Sequence, residues 1–329
     1  MNENRIKALS GKDLRNILKM EDCIDSMGNA FAALYRREVD VPLRTAIDME
    51  PDNGGALFMP VYSSSISRVG VKTVIINRDN PARGLPFIHA MVQIFDSSTG
   101  APVALMDGEV ITAMRTGAVS GLATKLLAKD NAKIAAIIGT GAQGETQLEG
   151  VCCVRDITTA YVFDLDIARA EDFAARMSKH LGIKVVVAQS SEQLTEADII
   201  CTSTSSTKPV FDDVYIKRGT HINGVGSYRP DMAEIPAQTL QRAKVVVDQR
   251  QGCLAEAGDL VQPIKEGIFS DEIIHGDLGE VVTGNIVARE DDEEVTVFKS
   301  VGIAVQDLVT ADLALKLAES MGGGQEIIL

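Results

Sequence analysis

Apolar and polar residues alternate in regular blocks between residues 133 and 250. Short apolar runs predict strands, and the longer stretches at 142–154 and 167–180 predict helices between them. Strands that alternate with helices predict a doubly wound parallel sheet with right-handed crossovers. Six strands are the number that a Rossmann-type sheet normally carries. The six strand-like runs are 133–138, 159–163, 184–187, 198–202, 220–225 and 243–248.

The pattern before residue 125 is different. Residues 14–37 predict one or two helices, and residues 112–129 predict a helix that leads into the alternating region. The helical pattern at 305–321 is expected to return to this part, and the acidic stretch 281–294 predicts a loop around a short strand. Strand-like segments separated by tight-turn sequences predict an antiparallel or mixed sheet and therefore an α+β domain. These segments are 56–61, 67–76, 88–96 and 102–107.

Composition restricts the class of protein. With 329 residues, the chain is long enough for two domains, and 45% hydrophobic and 24% charged residues are typical of a soluble globular protein. A net charge of −14 disfavours nucleic acid and anionic membranes as partners. Five cysteines without C-x-x-C spacing, and no apolar stretch of signal-peptide or membrane-helix type, predict a cytoplasmic location.

The turn after the first strand of the alternating region is predicted to bind a dinucleotide. It reads Gly139-Thr-Gly-Ala-Gln-Gly144 and follows five apolar residues. The first glycine permits a tight turn, the second lets the backbone approach a diphosphate, and the third allows helix and strand to pack closely. The start of the following helix favours the diphosphate charge. The predicted cofactor-binding residues of this turn are Gly139, Gly141, Ala142, Gln143 and Gly144.

Asp164 bears on the choice between NAD(H) and NADP(H). It ends the next apolar run, twenty residues after Gly144. An acidic side chain at this point accepts hydrogen bonds from the ribose hydroxyls and repels a 2′-phosphate, so NAD(H) is favoured. Arg169 follows closely and is able to pair with a 2′-phosphate, which keeps NADP(H) as the alternative.

Three cations lie in apolar surroundings that solvation explains poorly. Arg44 follows Val-Pro-Leu, Lys72 interrupts an almost entirely apolar strand, and Arg115 lies in a stretch of small residues. A cation in such company either extends to solvent or pairs with an anion. A structural ion pair is the alternative for each residue alone. Taken together, they predict a clamp for a carboxylate, in which arginine supplies a planar fork and lysine a point charge.

Ordered motifs then resemble the ornithine cyclodeaminase/mu-crystallin family over roughly residues 40–315. The motifs are Gly70-Val-Lys72, Asp107-Gly108 with Thr112-x-x-Arg115-Thr-Gly-Ala, Gly139-Thr-Gly-Ala-Gln-Gly144, Glu256-Ala-Gly-Asp259, Gly279-Glu-Val-Val-Thr-Gly284, and Phe298-Lys-Ser-Val-Gly302 with Gln306-Asp307.

The resemblance implies a homodimer or larger assembly that binds NAD(H) or NADP(H) and a small α-imino or α-amino acid. A discontinuous substrate-binding and dimerisation domain would comprise residues 1–125 and 303–329, and the NAD(P)-binding Rossmann domain residues 126–302. By matched motif, the residues that hold the carboxylate of the substrate and polarise the reacting end of the substrate are Arg44, Lys72 and Arg115. Thr116 would lie near the nicotinamide and its phosphates, and Val301 would line the nicotinamide ring.

One position departs from the cyclodeaminases. Those enzymes carry an aspartate that activates the substrate amine, and the resemblance places Tyr228 there when Glu234 is matched to the family's glutamate. Asp231 follows in a Pro-Asp pattern that is common to reductase-like members. It is either a turn residue or a group that orients or protonates the substrate nitrogen.

The leading hypothesis is therefore an NAD(P)H-dependent reductase or dehydrogenase of α-imino and α-amino acids. Hydride would pass to the α-carbon of a cyclic imine such as Δ1-pyrroline-2-carboxylate, or of an imine formed from a 2-oxo acid and an amine. Lys72 would polarise the imine or exchange a proton, and Asp231 would face the nitrogen. The alternatives are an ornithine-type cyclodeaminase and a ligand-binding protein without turnover. Four scattered histidines predict no metal site.

Overall fold

The computed structural model describes residues 5–328, so the outermost ends of the predicted domain ranges (1–4 and 329) lie outside the described residues. The chain divides into two compact units. One comprises residues 5–115 with 303–328, and the other comprises residues 116–302. The division at 115/116 falls inside a helix, whereas the sequence prediction places the domain boundary near the end of that helix, at residue 125.

The bounds of the elements follow chain order. The strands are β1 (Arg5–Leu9), β2 (Val39–Asp40), β3 (Thr45–Met49), β4 (Gly54–Ser63), β5 (Arg68–Asn77), β6 (Ile88–Asp96), β7 (Pro102–Asp107), β8 (Ile134–Ile138), β9 (Thr159–Phe163), β10 (Lys184–Val187), β11 (Ile199–Thr202), β12 (His221–Gly224), β13 (Lys244–Val247), β14 (Ile274–Asp277), β15 (Thr296–Lys299) and β16 (Gln325–Ile328). The helices are α1 (Gly11–Ile17), α2 (Met20–Tyr35), α3 (Gly108–Leu127), α4 (Ala142–Val154), α5 (Ile167–Leu181), α6 (Ala237–Arg242), α7 (Arg250–Glu256), α8 (Gly258–Lys265), α9 (Leu278–Val282) and α10 (Ala304–Met321).

The first unit is built on a mixed sheet in the order β16-β1-β7-β6-β5-β4-β2, with β3 also paired to β4. The pairs from β7 to β4 are antiparallel, whereas β1 runs parallel to β7. The mixed sheet and its four long strands are confirmed. Strands β1, β2, β3 and β16 were not predicted, because short or edge strands carry little apolar alternation of their own.

Helix α10 packs against the inner face of this sheet, and Gly70 makes that contact close. A Cβ atom at Gly70 would lie 2.8 Å from Leu308 Cδ1 of α10. Because side chains alternate across a strand, Lys72 projects from the same face as Gly70. Its neighbours in register, Met59 on β4 and Val92 on β6, are apolar and buried. Lys72 therefore extends from an apolar sheet face towards α10.

The second unit is a Rossmann-type parallel sheet, as predicted, but it has eight strands rather than six. Their order is β10-β9-β8-β11-β12-β15-β13-β14. Strands β14 (IHGD) and β15 (TVFK) were not predicted, because each contains at most two consecutive apolar residues. The stretch 281–294 contains the end of α9 and a loop but no strand, which corrects that expectation. The late strand β15 separates the predicted fifth and sixth strands.

Apolar residues of β8 alternate between two cores, one on each face of the second sheet. Ala135 and Ile137 join the core that contains α4 and α5, whereas Ala136 and Ile138 join the opposite core. Helices on both faces give the doubly wound arrangement. Across residues 5–328, no helix combines the length and apolar character needed to cross a membrane.

Two arginines stabilise the C-terminal end of α3, where carbonyl groups lack helical partners. Arg155 donates hydrogen bonds to the carbonyl oxygens of Lys125 and Ala128, at 3.1 and 2.8 Å. Arg289 donates to the carbonyl oxygen of Leu127 at 2.7 Å. These bonds fix the end of the helix that carries Arg115 and Thr116 near its middle.

Candidate active site

Lys72, Arg115 and Asp307 form a buried ionic cluster in the first unit. Lys72 Nζ lies 2.9 Å from Asp307 Oδ1, and Arg115 Nε lies 3.1 Å from the same oxygen. The residue exposures are 3% for Lys72, 6% for Arg115 and 1% for Asp307. Burial of charges is tolerated when they are paired in good geometry. The structure thus brings together two of the three cations that the sequence analysis predicted to hold a carboxylate.

Gln306 and Asp307 together orient the guanidinium of Arg115. Arg115 Nη1 donates to Gln306 Oε1 at 2.6 Å, while Nε faces Asp307. Both partners lie in the first turn of α10, and Arg115 lies on α3. A planar guanidinium that is held at two nitrogens has little freedom to rotate, so its remaining edge has a fixed direction for a bidentate anion.

Burial lowers the pKa of Lys72 to about 8. The charge of Asp307 opposes this shift, and the positive charges of Arg115 and Arg44 add to it. The half-buried Arg44 is therefore close enough to influence Lys72 electrostatically. A lysine with such a pKa is positioned to exchange a proton near neutral pH, because the two protonation states differ little in free energy.

Gln306 and Asp307 were not among the predicted site residues, although both belong to the last family motif. The available signal was a charged residue within the apolar pattern of 305–321. Asp307 Oδ2 is buried and makes no hydrogen bond within residues 5–328. An aspartate that is buried on an apolar helix face needs a cationic partner, and Lys72 and Arg115 supply it.

The glycine turn has the geometry that a bound diphosphate requires. Gly139 has a φ of 98°, and a Cβ atom there would lie 2.8 Å from the carbonyl oxygen of Ser203. A Cβ atom at Gly144 would collide with the carbonyl oxygen of Gly139. At Gly141, the N-cap of α4, no atom lies within 4 Å of an added Cβ. The turn is tight towards the protein and open at the helix start, so it fits a dinucleotide.

Asp164 lies at the end of β9, beside this turn, but its carboxylate is already engaged. It accepts hydrogen bonds from Thr140 N and Oγ1 at 2.8 and 2.6 Å, and from Arg169 Nη2 at 2.7 Å. Burial would raise the pKa of Asp164, but these hydrogen bonds hold it well below its ordinary value. Asp164 is thus a fixed anion next to the turn, and the side chain of Arg169 is largely exposed.

Thr116 begins the second unit and is buried against α4. The Gln147 side chain on α4 donates to the Thr116 carbonyl oxygen at 3.0 Å. A Cβ atom at Gly117 would collide with the backbone of Thr146, and one at Gly150 would collide with the carbonyl oxygen of Gly117. Helix α4, which begins at the dinucleotide turn, therefore contacts α3 directly beside Thr116.

Val301 follows β15 in a loop that a buried carboxylate fixes. Asp248 Oδ2 accepts hydrogen bonds from Ser300 Oγ, Val301 N and Gly302 N, at 2.7, 3.0 and 2.8 Å. Val301 and Asp248 are both buried. The loop stands at the carboxyl ends of the parallel strands, which is where ligands bind in open α/β sheets.

Asp231 lies in the second unit and not in the Lys72 cluster. Its side chain is 61% exposed and forms a two-point ion pair with Arg229. Hydrogen bonding from Arg229 lowers the pKa of Asp231. Asp231 is therefore an ionised surface group in this conformation.

A buried polar group with no predicted functional role lies beside the loop that follows β12. Glu234 accepts hydrogen bonds from Thr202 Oγ1 and Gly226 N, at 2.9 and 2.8 Å. Lys299 Nζ lies 3.0 Å from Asp259 Oδ2, an ion contact without the alignment of a hydrogen bond. Burial raises the pKa of Glu234, although the positive charge of Lys299 opposes that shift. The hydrogen bonds of Glu234 fix the loop that follows β12 to the end of β11.

Among the described residues, no three His, Cys, Asp or Glu side chains are grouped as metal ligands.

Comparison with known proteins agrees with this architecture. The chain belongs to the ornithine cyclodeaminase/mu-crystallin family, whose model matches residues 7–321. It is 37% identical to the Δ1-pyrroline-2-carboxylate reductase of Bacillus cereus over 97% of this chain and 98% of the relative.

Two solved structures share the whole fold. The Thermococcus litoralis Δ1-pyrroline-2-carboxylate reductase, in complex with NADH and L-proline, is 43% identical, with a TM-score of 0.94 over 98% of this chain and 100% of that one. An archaeal alanine dehydrogenase dimer with bound NAD is 31% identical, with a TM-score of 0.92 over 98% and 99% of the two chains.

Proposed function

We propose that this protein is an NADH-dependent reductase of small α-imino acids, with Δ1-pyrroline-2-carboxylate as the leading substrate. The observation that carries the proposal is the buried pair of Lys72 and Arg115 on one oxygen of Asp307. Two buried cations that share a single anion retain attraction for a second carboxylate. The identity to two Δ1-pyrroline-2-carboxylate reductases supports the choice of substrate.

Arg115 and Arg44 bind the substrate carboxylate in this proposal. Arg115 is held by Asp307 and Gln306, so its remaining N–H groups can bind a carboxylate without a large loss of side-chain freedom. The positive charge of Arg44 acts on Lys72, the neighbour of Arg115 in the cluster. Fixing the carboxylate places the adjacent imine carbon at a constant distance from the clamp.

Lys72 acts on the imine in this proposal. As an ammonium it draws electrons from the C=N bond, and it donates a proton as the nitrogen becomes an amine. Its pKa of about 8 allows it to be charged at neutral pH and to be reprotonated from solvent between turnovers. Asp231, which is ionised and exposed in this structure, keeps its predicted role of facing the substrate nitrogen as part of the proposal.

The dinucleotide is bound by Gly139, Gly141, Ala142, Gln143 and Gly144, with Thr116 and Val301 beside the nicotinamide. When bound, the reduced nicotinamide supplies the hydride. Asp164 favours NAD(H), because an anion at the end of β9 repels a 2′-phosphate. The NADH and NAD bound in the two similar structures support this choice.

The function is tested with purified protein, NADH or NADPH, and a panel of imines. The panel contains five- and six-membered cyclic imino acids, pyruvate with ammonia or methylamine, ornithine and lysine. Loss of NADH absorbance with Δ1-pyrroline-2-carboxylate is expected, and proline is the expected product. Ammonia released from ornithine without a net change in NADH would instead indicate a cyclodeaminase. Ligand binding without turnover of any imine would indicate a binding protein.

The protein is also expected to form a homodimer through the outer face of its first sheet. Apolar side chains there remain exposed, and Tyr62, Val69 and Met91 are each more than a third accessible. Exposed apolar side chains on one face of a sheet are typical of an interface between subunits. Light scattering after gel filtration tests this, and Val69→Asp is expected to produce monomers. The cytoplasmic location stays a prediction from composition.

A further inference from the structure

Asp307 has an arrangement that differs from that of a simple buried ion pair. Its Oδ1 atom serves both Lys72 and Arg115, while its Oδ2 atom is buried and has no hydrogen-bond partner within residues 5–328. An unused buried carboxylate oxygen costs free energy. A site built for stability alone would use both oxygens, one for each cation. In the observed geometry, both cations instead contact the same oxygen atom, Asp307 Oδ1.

We propose that Asp307 is a positioning residue, which keeps Lys72 beside Arg115 as a charged ammonium and so presents two cations side by side to the ligand. Its role in turnover depends on the proposed reductase function. The charge that it maintains on Lys72 does not depend on that function and is testable without substrate.

Asp307 is the anionic group among the neighbours of Lys72 that stabilises the charged form of the lysine. The neighbours of Lys72 on β4 and β6 are Met59 and Val92, which are apolar. From α3 it meets Arg115 and the hydroxyl of Thr112, the latter at 3.4 Å. Arg44 acts from the segment before β3, and Asp307 acts from α10. The Thr112 hydroxyl accepts a long hydrogen bond from the ammonium, and of the charged groups named here only Asp307 favours the charged form of Lys72.

The position of Asp307 is itself set by packing. Gly70 allows Leu308 of α10 to approach β5, and Asp307 is the residue before Leu308. Lys72 stands two residues beyond Gly70 on the same strand face. The same close contact that joins strand and helix therefore brings the carboxylate to the ammonium.

The test compares Asp307→Asn with the matched control Asp312→Asn. Asp312 is also buried on α10, but it pairs with Arg68 and Lys316 away from the cluster. Lysine side chains are labelled with ¹⁵N, and the Lys72 Nζ signal is assigned by its absence in Lys72→Met. An opposite charge within contact distance shifts a pKa by roughly 1–3 units. The titration of Lys72 should therefore move to lower pH by at least about one unit in Asp307→Asn and stay unchanged in Asp312→Asn.

The kinetic counterpart is the pH profile of kcat/KM with Δ1-pyrroline-2-carboxylate. In Asp307→Asn the alkaline decline should move to lower pH, and activity at neutral pH should fall at least tenfold, while Asp307→Glu should recover part of the loss. An unchanged Lys72 titration in Asp307→Asn would overturn the proposal. If Asp307→Asn does not fold, the wild-type protein supplies the test, and a Lys72 that is uncharged at pH 7 would overturn the proposal. A wild-type protein without turnover but with the expected titration would refute only the proposed function.

Discussion

Gln147 on α4 donates a buried hydrogen bond to the carbonyl oxygen of Thr116 on α3, at 3.0 Å. Thr116 directly follows Arg115, and Gln147 lies one turn beyond the glycine turn that begins α4. Two glycines make this helix crossing close, since no side chain fits at Gly117 or Gly150. Helix α4, which begins at the glycine turn, is thereby fixed to α3, the helix that carries Arg115.

Gly150→Ala is expected to force these helices apart. The new Cβ would collide with the carbonyl oxygen of Gly117, and backbone cannot move aside as a flexible side chain can. Overpacking of this kind costs about 1–3 kcal/mol, which lowers the Tm. The KM for NADH should rise with it, because Thr116 is proposed to lie near the nicotinamide. Thermal unfolding and steady-state kinetics measure both effects.

Gly323→Ala serves as the matched control. The nearest atom to its added Cβ lies 3.8 Å away, an ordinary contact, so neither the Tm nor the KM for NADH should change. Equal behaviour of the two variants would contradict the importance of the helix crossing.

Arg115→Lys is expected to raise the KM for the imino acid and lower kcat. A lysine lacks the fork that reaches Asp307 and Gln306 together and still offers an edge to a carboxylate. Hydrogen bonds to charged groups contribute about 1.5–3 kcal/mol, so kcat/KM should fall roughly 10- to 150-fold. Arg68→Lys is the control, because Arg68 pairs with Asp96 and Asp312 away from the cluster. A normal KM in Arg115→Lys would argue against the clamp.

The parts of the site that the sequence predicts have a local cause. The turn at 139–144 follows from glycine spacing beside an apolar strand, and its backbone has the expected shape. Lys72 and Arg115 stood out as charges within apolar runs, and both are buried. The requirement for an anionic partner was therefore predictable from the sequence, although its identity was not.

The remaining features depend on contacts between distant segments. Asp307 reaches Lys72 across 235 positions of the chain, and no local pattern encodes such a pairing. Strand β15 lies between β12 and β13 although it follows both in sequence. Its four residues, TVFK, carry too short an apolar run to predict a strand. Strands β1 and β16 pair with each other from opposite ends of the chain.

Separate substitutions of Asp164 and of Arg169 should change the cofactor preference in opposite directions. Asp164→Ser removes the anion that repels a 2′-phosphate and frees Arg169 to bind one, so the ratio of kcat/KM for NADPH to that for NADH should rise at least tenfold. Arg169→Ala removes the cation and leaves Asp164 held by Thr140, so NADH should be retained and NADPH use should fall. Initial rates with both cofactors measure the ratio. An unchanged ratio in both variants would exclude this pair from cofactor selection.

The stability of the protein should depend on pH through Lys72. Burial lowers the pKa of folded Lys72 to about 8, below the value of 10.5 for an unperturbed lysine. Between these values the unfolded chain binds a proton that the folded chain does not, so the free energy of unfolding rises with pH. Below pH 8 both states are charged, and the full cost of the buried ammonium is present.

Lys72→Met removes this contribution. Each unit of pKa difference corresponds to about 1.4 kcal/mol, so the wild-type protein should gain roughly 2–4 kcal/mol relative to Lys72→Met as the pH rises from 7 to 10.5. Urea unfolding at several pH values measures the difference. Lys316→Met, which removes an exposed lysine on α10, should differ from the wild-type protein by a constant amount over this range. A constant difference for Lys72→Met as well would mean that Lys72 titrates like a solvated lysine, in conflict with its burial against β4, β6 and α10.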